Sequence, residues 1–256
     1  MGNQLFSRYV ALGDSFSEGV GDPDPTRPNG LRGWADRTAE QLALGNPEFR
    51  YANLAIRGRK MPQIIAEQIE PAVALQPDLI TIYAGGNDIL RPKVDIDALV
   101  ASYDDAVGRL ADTGATLVMW TAFDAGTFPL FKPTRGRFAI YNELVREVAE
   151  KHGALVLDFW RAREYRDPRY WDSDRLHMAA PGHQQMAIKV LDLLGVAHTL
   201  TAPTLPEVVP VARREQMRNN AAWMRGEMLP WVQRRVTGRS SGDTISPKRP
   251  DLAPVE

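Results

Sequence analysis

Five short apolar runs constrain this chain more than anything else in it. They are Tyr9–Leu12, Tyr51–Leu54, Leu79–Tyr83, Thr116–Thr121 and Ala154–Phe159. Longer segments with apolar residues at helical spacing separate or follow them: Trp34–Leu44, Met61–Leu75, Ile96–Leu110, Phe138–His152 and Pro181–Leu194. A segment such as Met61–Leu75 puts Ile64, Ile65, Ile69 and Val73 on or near one face. The short runs show no period-2 alternation, as expected of strands buried on both faces. Strand–helix alternation of this kind predicts a parallel sheet covered by helices on both sides.

The expected fold class is therefore α/β, with five parallel strands in one sheet. The expected main domain spans residues 1–200. Residues 201–256 are expected to form a Pro-rich linker, an amphipathic helix over 211–229 closed by Pro230, and a tail, 237–256, without regular structure. Met217, Ala221, Met224 and Met228 lie on one stripe of that helix and are expected to pack on the main domain, with Trp223 or Trp231 as an anchor. A basic amphipathic helix with Arg213, Arg214, Arg218 and Arg225 also suits a membrane surface, the less favoured reading.

Composition excludes several functions. A chain of 256 residues can hold a core without staples. With no cysteine there is no disulfide framework, thiolate zinc site or cysteine nucleophile. A formal charge of −1 speaks against nucleic acid as a partner. No signal-peptide pattern, myristoylation motif (Phe6 stands where Ser or Thr is needed) or membrane-span run is present, so the expectation is a cytoplasmic protein.

Four segments carry the chemistry. Gly13-Asp14-Ser15 follows the first strand, Asn53 to Gly58 the second, and Gly85-Gly86-Asn87-Asp88 the third. With a strand order of 2-1-3-4-5 these three loops would be neighbours beyond the carboxyl ends of the strands, where such sheets bind ligands. Asp174-Arg175-Leu176-His177 comes after the fifth strand. A serine needs a base, and a histidine base needs a partner that fixes its tautomer. His177 has Asp174 three residues before it. Backbone N–H groups of Ser15 and Gly58 and the amide of Asn87 are candidate donors to an oxyanion.

These blocks, GDSF at 13–16, N-x-A-x-x-G at 53–58, GGND at 85–88 and DRLH at 174–177, resemble those of the SGNH hydrolases, the GDSL-type esterases and lipases. The resemblance covers about residues 8–195. Phe16 departs from the usual leucine. The resemblance implies a flavodoxin-like three-layer α/β/α sandwich with a five-stranded parallel sheet in the order 2-1-3-4-5, Ser15 as nucleophile, Gly58 and Asn87 in the oxyanion hole, and Asp174 and His177 completing a triad. It also implies ester hydrolysis through an acyl-enzyme on a small-molecule ester, with small or medium acyl groups preferred and neither metal nor organic cofactor. The alternatives are a lipase, phospholipase or thioesterase of the same family acting at a membrane surface, and a non-catalytic binding module.

Other readings fail on spacing. Ser17 replaces the second glycine of a G-x-S-x-G elbow. Asp24 replaces the third glycine of a dinucleotide fingerprint. Asp14, Glu18 and Asp22 disfavour a phosphate at the first loop. Asp14, Asn53 and Asp88 read as support residues; His152 ends a predicted helix, where an imidazolium complements the dipole, His198 lies in the linker region, and His183 reads as structural. Phe16, Trp34 and Phe128 are candidates for an acyl pocket, more often core. Arg57 reads as an exposed arginine.

Overall fold

The computed structural model describes residues 5–127, 131–207, 212–230, 233, 237 and 240–255. Phe128 and Trp231 therefore lie outside the described residues. Five parallel strands form the body of one sheet: β1 (Arg8–Gly13), β2 (Arg50–Asn53), β3 (Leu79–Tyr83), β4 (Thr116–Trp120) and β5 (Leu155–Leu157). Their order is the expected 2-1-3-4-5. In the central pair Tyr9 faces Leu79 and Gly13 faces Tyr83, so both strands end level.

Each strand feeds both layers because successive side chains point to opposite faces. Val10, Leu12, Ile80 and Ile82 pack beneath α3 (Met61–Ala74), α5 (Ile96–Ala111) and α6 (Arg135–Lys151). Tyr9, Ala11, Leu79 and Val118 pack beneath α2 (Gly33–Leu44) and α7 (Ala180–Leu194). This two-sided burial is why the strand sequences are continuously apolar. Each fully buried aliphatic side chain contributes about 1.5–3 kcal/mol.

Two expectations are corrected. Among the described residues the sheet has six strands, the order reading β5-β4-β3-β1-β2-β6. The sixth, β6 (Arg249–Ala253), comes from the tail expected to be irregular and runs antiparallel beside β2. Its register shifts between the pairs Tyr51–Ala253 and Asn53–Arg249, a stretch that holds Pro250. An edge strand with an irregularity is where a sheet tolerates proline. The tail is also anchored by Lys248, whose fully buried Nζ lies 2.9 Å from Asp36 and donates to the Arg32 carbonyl at 2.7 Å.

The second correction concerns the methionine stripe. The helix α8 (Arg213–Trp223) continues through a π-helical turn, Met224–Met228. Met217 is 57% exposed and Met224 41%, while Met228 is buried. The stripe does not pack as a unit. Among the described residues, no helix is long and apolar enough to cross a membrane.

Candidate active site

The site starts at the end of β1. Gly13 has φ of +137°, and a Cβ there would run into the carbonyl of Tyr83 on the next strand. A buried amide fixes this corner: Gly13 N–H donates to Gln68 Oε1 at 2.8 Å, and Gln68 Nε2 donates to Gly13 C=O at 2.9 Å. Sequence reasoning missed Gln68, because nothing local marks a helix residue that serves a strand 55 positions away. Asp14 then caps the short helix α1 (Ser15–Glu18), accepting from Phe16 N–H at 3.1 Å. This sets Ser15 at the first helical position, facing the cleft.

The other half comes from the turn before α7. Asp174 Oδ1 accepts from Leu176 N–H at 2.8 Å and His177 N–H at 2.9 Å, which closes the turn; Arg175 takes a left-handed φ of +59° within it. Asp174 Oδ2 lies 2.5 Å from His177 Nδ1, and His177 Nε2 lies 3.0 Å from Ser15 Oγ. A carboxylate only accepts, so Nδ1 carries the proton and Nε2 is free to accept from the serine hydroxyl. Partial burial works to raise the Asp174 carboxyl, but its bonds to His177 and the nearby imidazole outweigh this and hold it below the ordinary range. The three groups form one hydrogen-bonded chain.

Asn87 stands in the short helix α4 (Gly86–Ile89) after β3. Its Nδ2 donates to Asp14 Oδ2 at 2.9 Å and to the Arg59 carbonyl at 3.2 Å. Burial pushes the Asp14 carboxyl up to about 7, against the lowering effects of the Phe16 and Asn87 bonds and of His177. Asp88, read as a support residue, accepts from Met61 N–H at 2.9 Å and so pins α3 to this loop. Asn53 braces its own loop: Oδ1 accepts from Ala55 N–H at 3.1 Å, and Nδ2 donates to the Ser17 carbonyl at 2.8 Å.

Gly58 lies in the same loop with φ of +74°, and the space a Cβ would need is taken by Ser240 of the tail. Among the described residues, neither Ser15 N–H nor Gly58 N–H is taken up by a protein acceptor. Arg57 is not the free arginine expected. It pairs with the fully buried Glu18 of α1, donating from Nη2 at 2.5 Å and from its backbone N–H at 2.7 Å. A buried carboxylate requires such a partner, and the pair ties the Gly58 loop to the serine helix. Asp22 is likewise met by Arg37 at 2.8 Å.

A cleft of about 100 Å³ opens over the serine. Ser15, Asn87 and His177 line it; Asp174 stands behind His177, and Gly58 is not among the lining residues. Its walls are aromatic, with Phe16, Phe123, Phe159 and Trp171 among them. Trp34 is core, behind Phe16 with its ring tilted by 45° and 5.4 Å between ring centroids. His183 is structural as expected: Nδ1 accepts from Trp34 N–H at 3.1 Å, Nε2 donates to the Val20 carbonyl at 3.1 Å, and burial pushes it down to about 4. Among the described residues no group of three or more His, Cys, Asp or Glu side chains could hold a metal ion.

A doubly wound sheet carrying these blocks at its strand ends is the fold of the SGNH-type α/β hydrolases. A sequence profile of the GDSL-like Lipase/Acylhydrolase family matches residues 11–185, and the chain belongs to that family. It is thus a carboxylic-ester hydrolase of the GDSL type. Among solved structures it is similar to LAE5, an alpha/beta hydrolase enzyme from the metagenome of Lake Arreo, Spain. The identity is 25%, the TM-score 0.61, and the match covers 74% of this chain and 95% of that one. It also shares its fold with Axe2, an acetylxylan esterase from Geobacillus stearothermophilus, solved as a catalytic mutant. There the identity is 21%, the TM-score 0.64, and the coverage 77% and 97%. No curated protein matches the chain.

Proposed function

We propose that the chain hydrolyses esters of small or medium acyl groups through an acyl-enzyme on Ser15. The observation that carries this is the unbroken chain from Ser15 Oγ through His177 to Asp174, at 3.0 and 2.5 Å. His177 takes the serine proton as Oγ attacks the ester carbonyl, and returns it to the leaving alcohol. The same imidazole then activates water to free the acid. Asp174 fixes the tautomer and stabilises the imidazolium. Ser15 N–H, Gly58 N–H and the Asn87 amide are the donors assigned to the tetrahedral oxyanion, the amide exchanging its longer bond to the Arg59 carbonyl, 3.2 Å, for one to substrate. No metal or organic cofactor takes part in these steps.

Support for this assignment also comes from Axe2. Its solved catalytic mutants replace a serine, an aspartate and a histidine three positions after the aspartate, the same residue types and spacing as here. The cleft supports the acyl-size reading. At about 100 Å³ it is well below the several hundred Å³ of drug-sized sites. The test is hydrolysis of p-nitrophenyl acetate, butyrate, octanoate and palmitate by wild type and Ser15→Ala. Acetate, butyrate and octanoate are expected to react faster than palmitate, with activity lost in the variant. A preference for palmitate would overturn the size assignment, and full activity in Ser15→Ala the nucleophile.

A further inference from the structure

The helix α8 follows the segment matched by the family profile and contains no buried residue. Its aromatic nevertheless touches the acid–base turn. Trp223 Nε1–H donates to the backbone carbonyl of Asp174 at 3.0 Å. The Arg175 guanidinium lies over the Trp223 ring, 4.7 Å from its centroid, and Arg175 Nη2 donates to Asn220 Oδ1 at 2.9 Å. Two residues of α8 thus grip two consecutive residues of the Asp174–His177 turn.

The turn needs such a grip. Both Asp174 carboxylate oxygens are occupied inside the turn, by two backbone N–H groups and by His177. Its carbonyl faces outward and takes its donor from Trp223. Arg175 holds a left-handed conformation with φ of +59°, which crowds the Cβ of any residue but glycine. The stem of the turn is held separately, with Asp172 N–H on the His177 carbonyl at 2.8 Å. Its tip is held from outside by α8. Trp223 alone of α8 is half-buried against the core, and the rest of the helix is exposed, so the helix acts through this one side chain on the geometry of His177 against Ser15.

We propose that Trp223 is a positioning residue of the ester hydrolysis, with Asn220 as its accessory: the indole holds the Asp174–Arg175 backbone so that His177 stays in reach of Ser15. This rests on the assignment of Ser15 and His177 above. It gives the C-terminal extension a part in catalysis without contact with substrate. A misplacement of about 1 Å at a reacting group can cost on the order of 10²-fold in rate, so the effect belongs in kcat rather than KM.

The experiment uses the full chain with p-nitrophenyl butyrate. Trp223→Phe keeps the ring and removes the donor; it is expected to lower kcat about 3–10-fold. Trp223→Ala removes both and is expected to lower kcat about 10–100-fold, with KM within about twofold of wild type. In a His177→Ala background, Trp223→Ala is expected to change the residual rate by less than about twofold, because residues acting through one another are non-additive. Asn220→Ala, an exposed position that folds regardless, is expected to cost about 2–5-fold in kcat. The proposal is overturned by kcat within about twofold of wild type in both Trp223→Phe and Asn220→Ala. An equal proportional loss from Trp223→Ala in the His177→Ala background overturns it too. Ser15→Ala separates the two assignments: wild-type activity there overturns the nucleophile itself. A dead Ser15→Ala beside unaffected Trp223 and Asn220 variants overturns only the positioning role.

Discussion

Asn87 Nδ2 lies 2.9 Å from Asp14 Oδ2, so the amide assigned to the oxyanion is held by the residue just before the nucleophile. The contact couples the end of β1 to the end of β3 at the floor of the cleft. It also places a buried carboxyl where burial pushes it up to about 7.

That rise has a sign opposite to the ordinary aspartate. The folded state holds the Asp14 proton at pH values where the unfolded chain has released it. Stability from this group is therefore full below about pH 4 and is lost as pH rises toward about 7. The loss is on the order of 4 kcal/mol across that window. Asp14→Asn is expected to flatten the slope and to raise the urea midpoint at pH 8 relative to wild type. Urea titrations from pH 4 to 8 check it, and identical slopes in the two proteins would contradict it.

Asn87→Ala removes a donor assigned to the oxyanion, together with the bonds the amide gives Asp14 and the Arg59 carbonyl in the resting site. The expected loss is about 10²–10³-fold in kcat with little change in KM. The same substitution leaves Asp14 Oδ2 with no amide to accept from, so the variant is also expected to be less stable above pH 7. Steady-state kinetics with p-nitrophenyl acetate decides the first point; a near-neutral kcat would remove Asn87 from the oxyanion site.

Gln68 closes both polar groups of Gly13. Gln68→Leu leaves the Gly13 N–H buried without a partner and weakens the hold on its carbonyl, which also accepts from Ile56 N–H at 3.3 Å. The expected cost is about 2–4 kcal/mol of stability, with activity falling because Ser15 is two residues away. Denaturant unfolding measures it. A change under about 0.5 kcal/mol would show that Gly13 is held by the strand ladder alone.

What the sequence made legible follows from chain locality. Gly13 to Phe16, Asn53 to Gly58 and Gly85 to Asp88 each follow an apolar run directly, so predicting the strands also predicted where these loops meet. Asp174 and His177 were legible because their pairing is three residues long and closes its own turn. Gln68, Trp223 and Lys248 were not, because each acts on a partner far away in sequence: 55 positions for Gln68, 49 for Trp223 and 216 for Lys248 with Arg32. No local pattern encodes such contacts. The strand β6 was hidden for another reason: Pro250 and the prolines, serines and glycines around it read as breakers, and only the vacant edge of β2 makes a strand of them. Arg57 looked exposed because its partner, Glu18, belongs to α1, 39 positions away.

Lys248 offers a test of how firmly the tail is built in. Its ammonium and the Asp36 carboxylate are both buried, and Asp36 also accepts from Tyr51 Oη–H at 2.9 Å. Burial pushes the Asp36 carboxyl up and the Lys248 ammonium down, while each partner favours the charge on the other. Lys248→Met strands the carboxylate and is expected to cost about 3–5 kcal/mol. Thermal unfolding of the full chain reads this directly, and an unchanged midpoint would mean that the tail contributes nothing to the sheet.

The central claim is that Ser15 carries the acyl group. The most direct measurement is intact-mass and peptide mapping after treatment with a fluorophosphonate, which bonds only to a serine whose base has activated it. The account predicts one adduct per chain, on Ser15, absent in Ser15→Ala and strongly slowed in His177→Ala. An adduct on another residue, or continued ester hydrolysis by a chain whose Ser15 is fully modified, would contradict it.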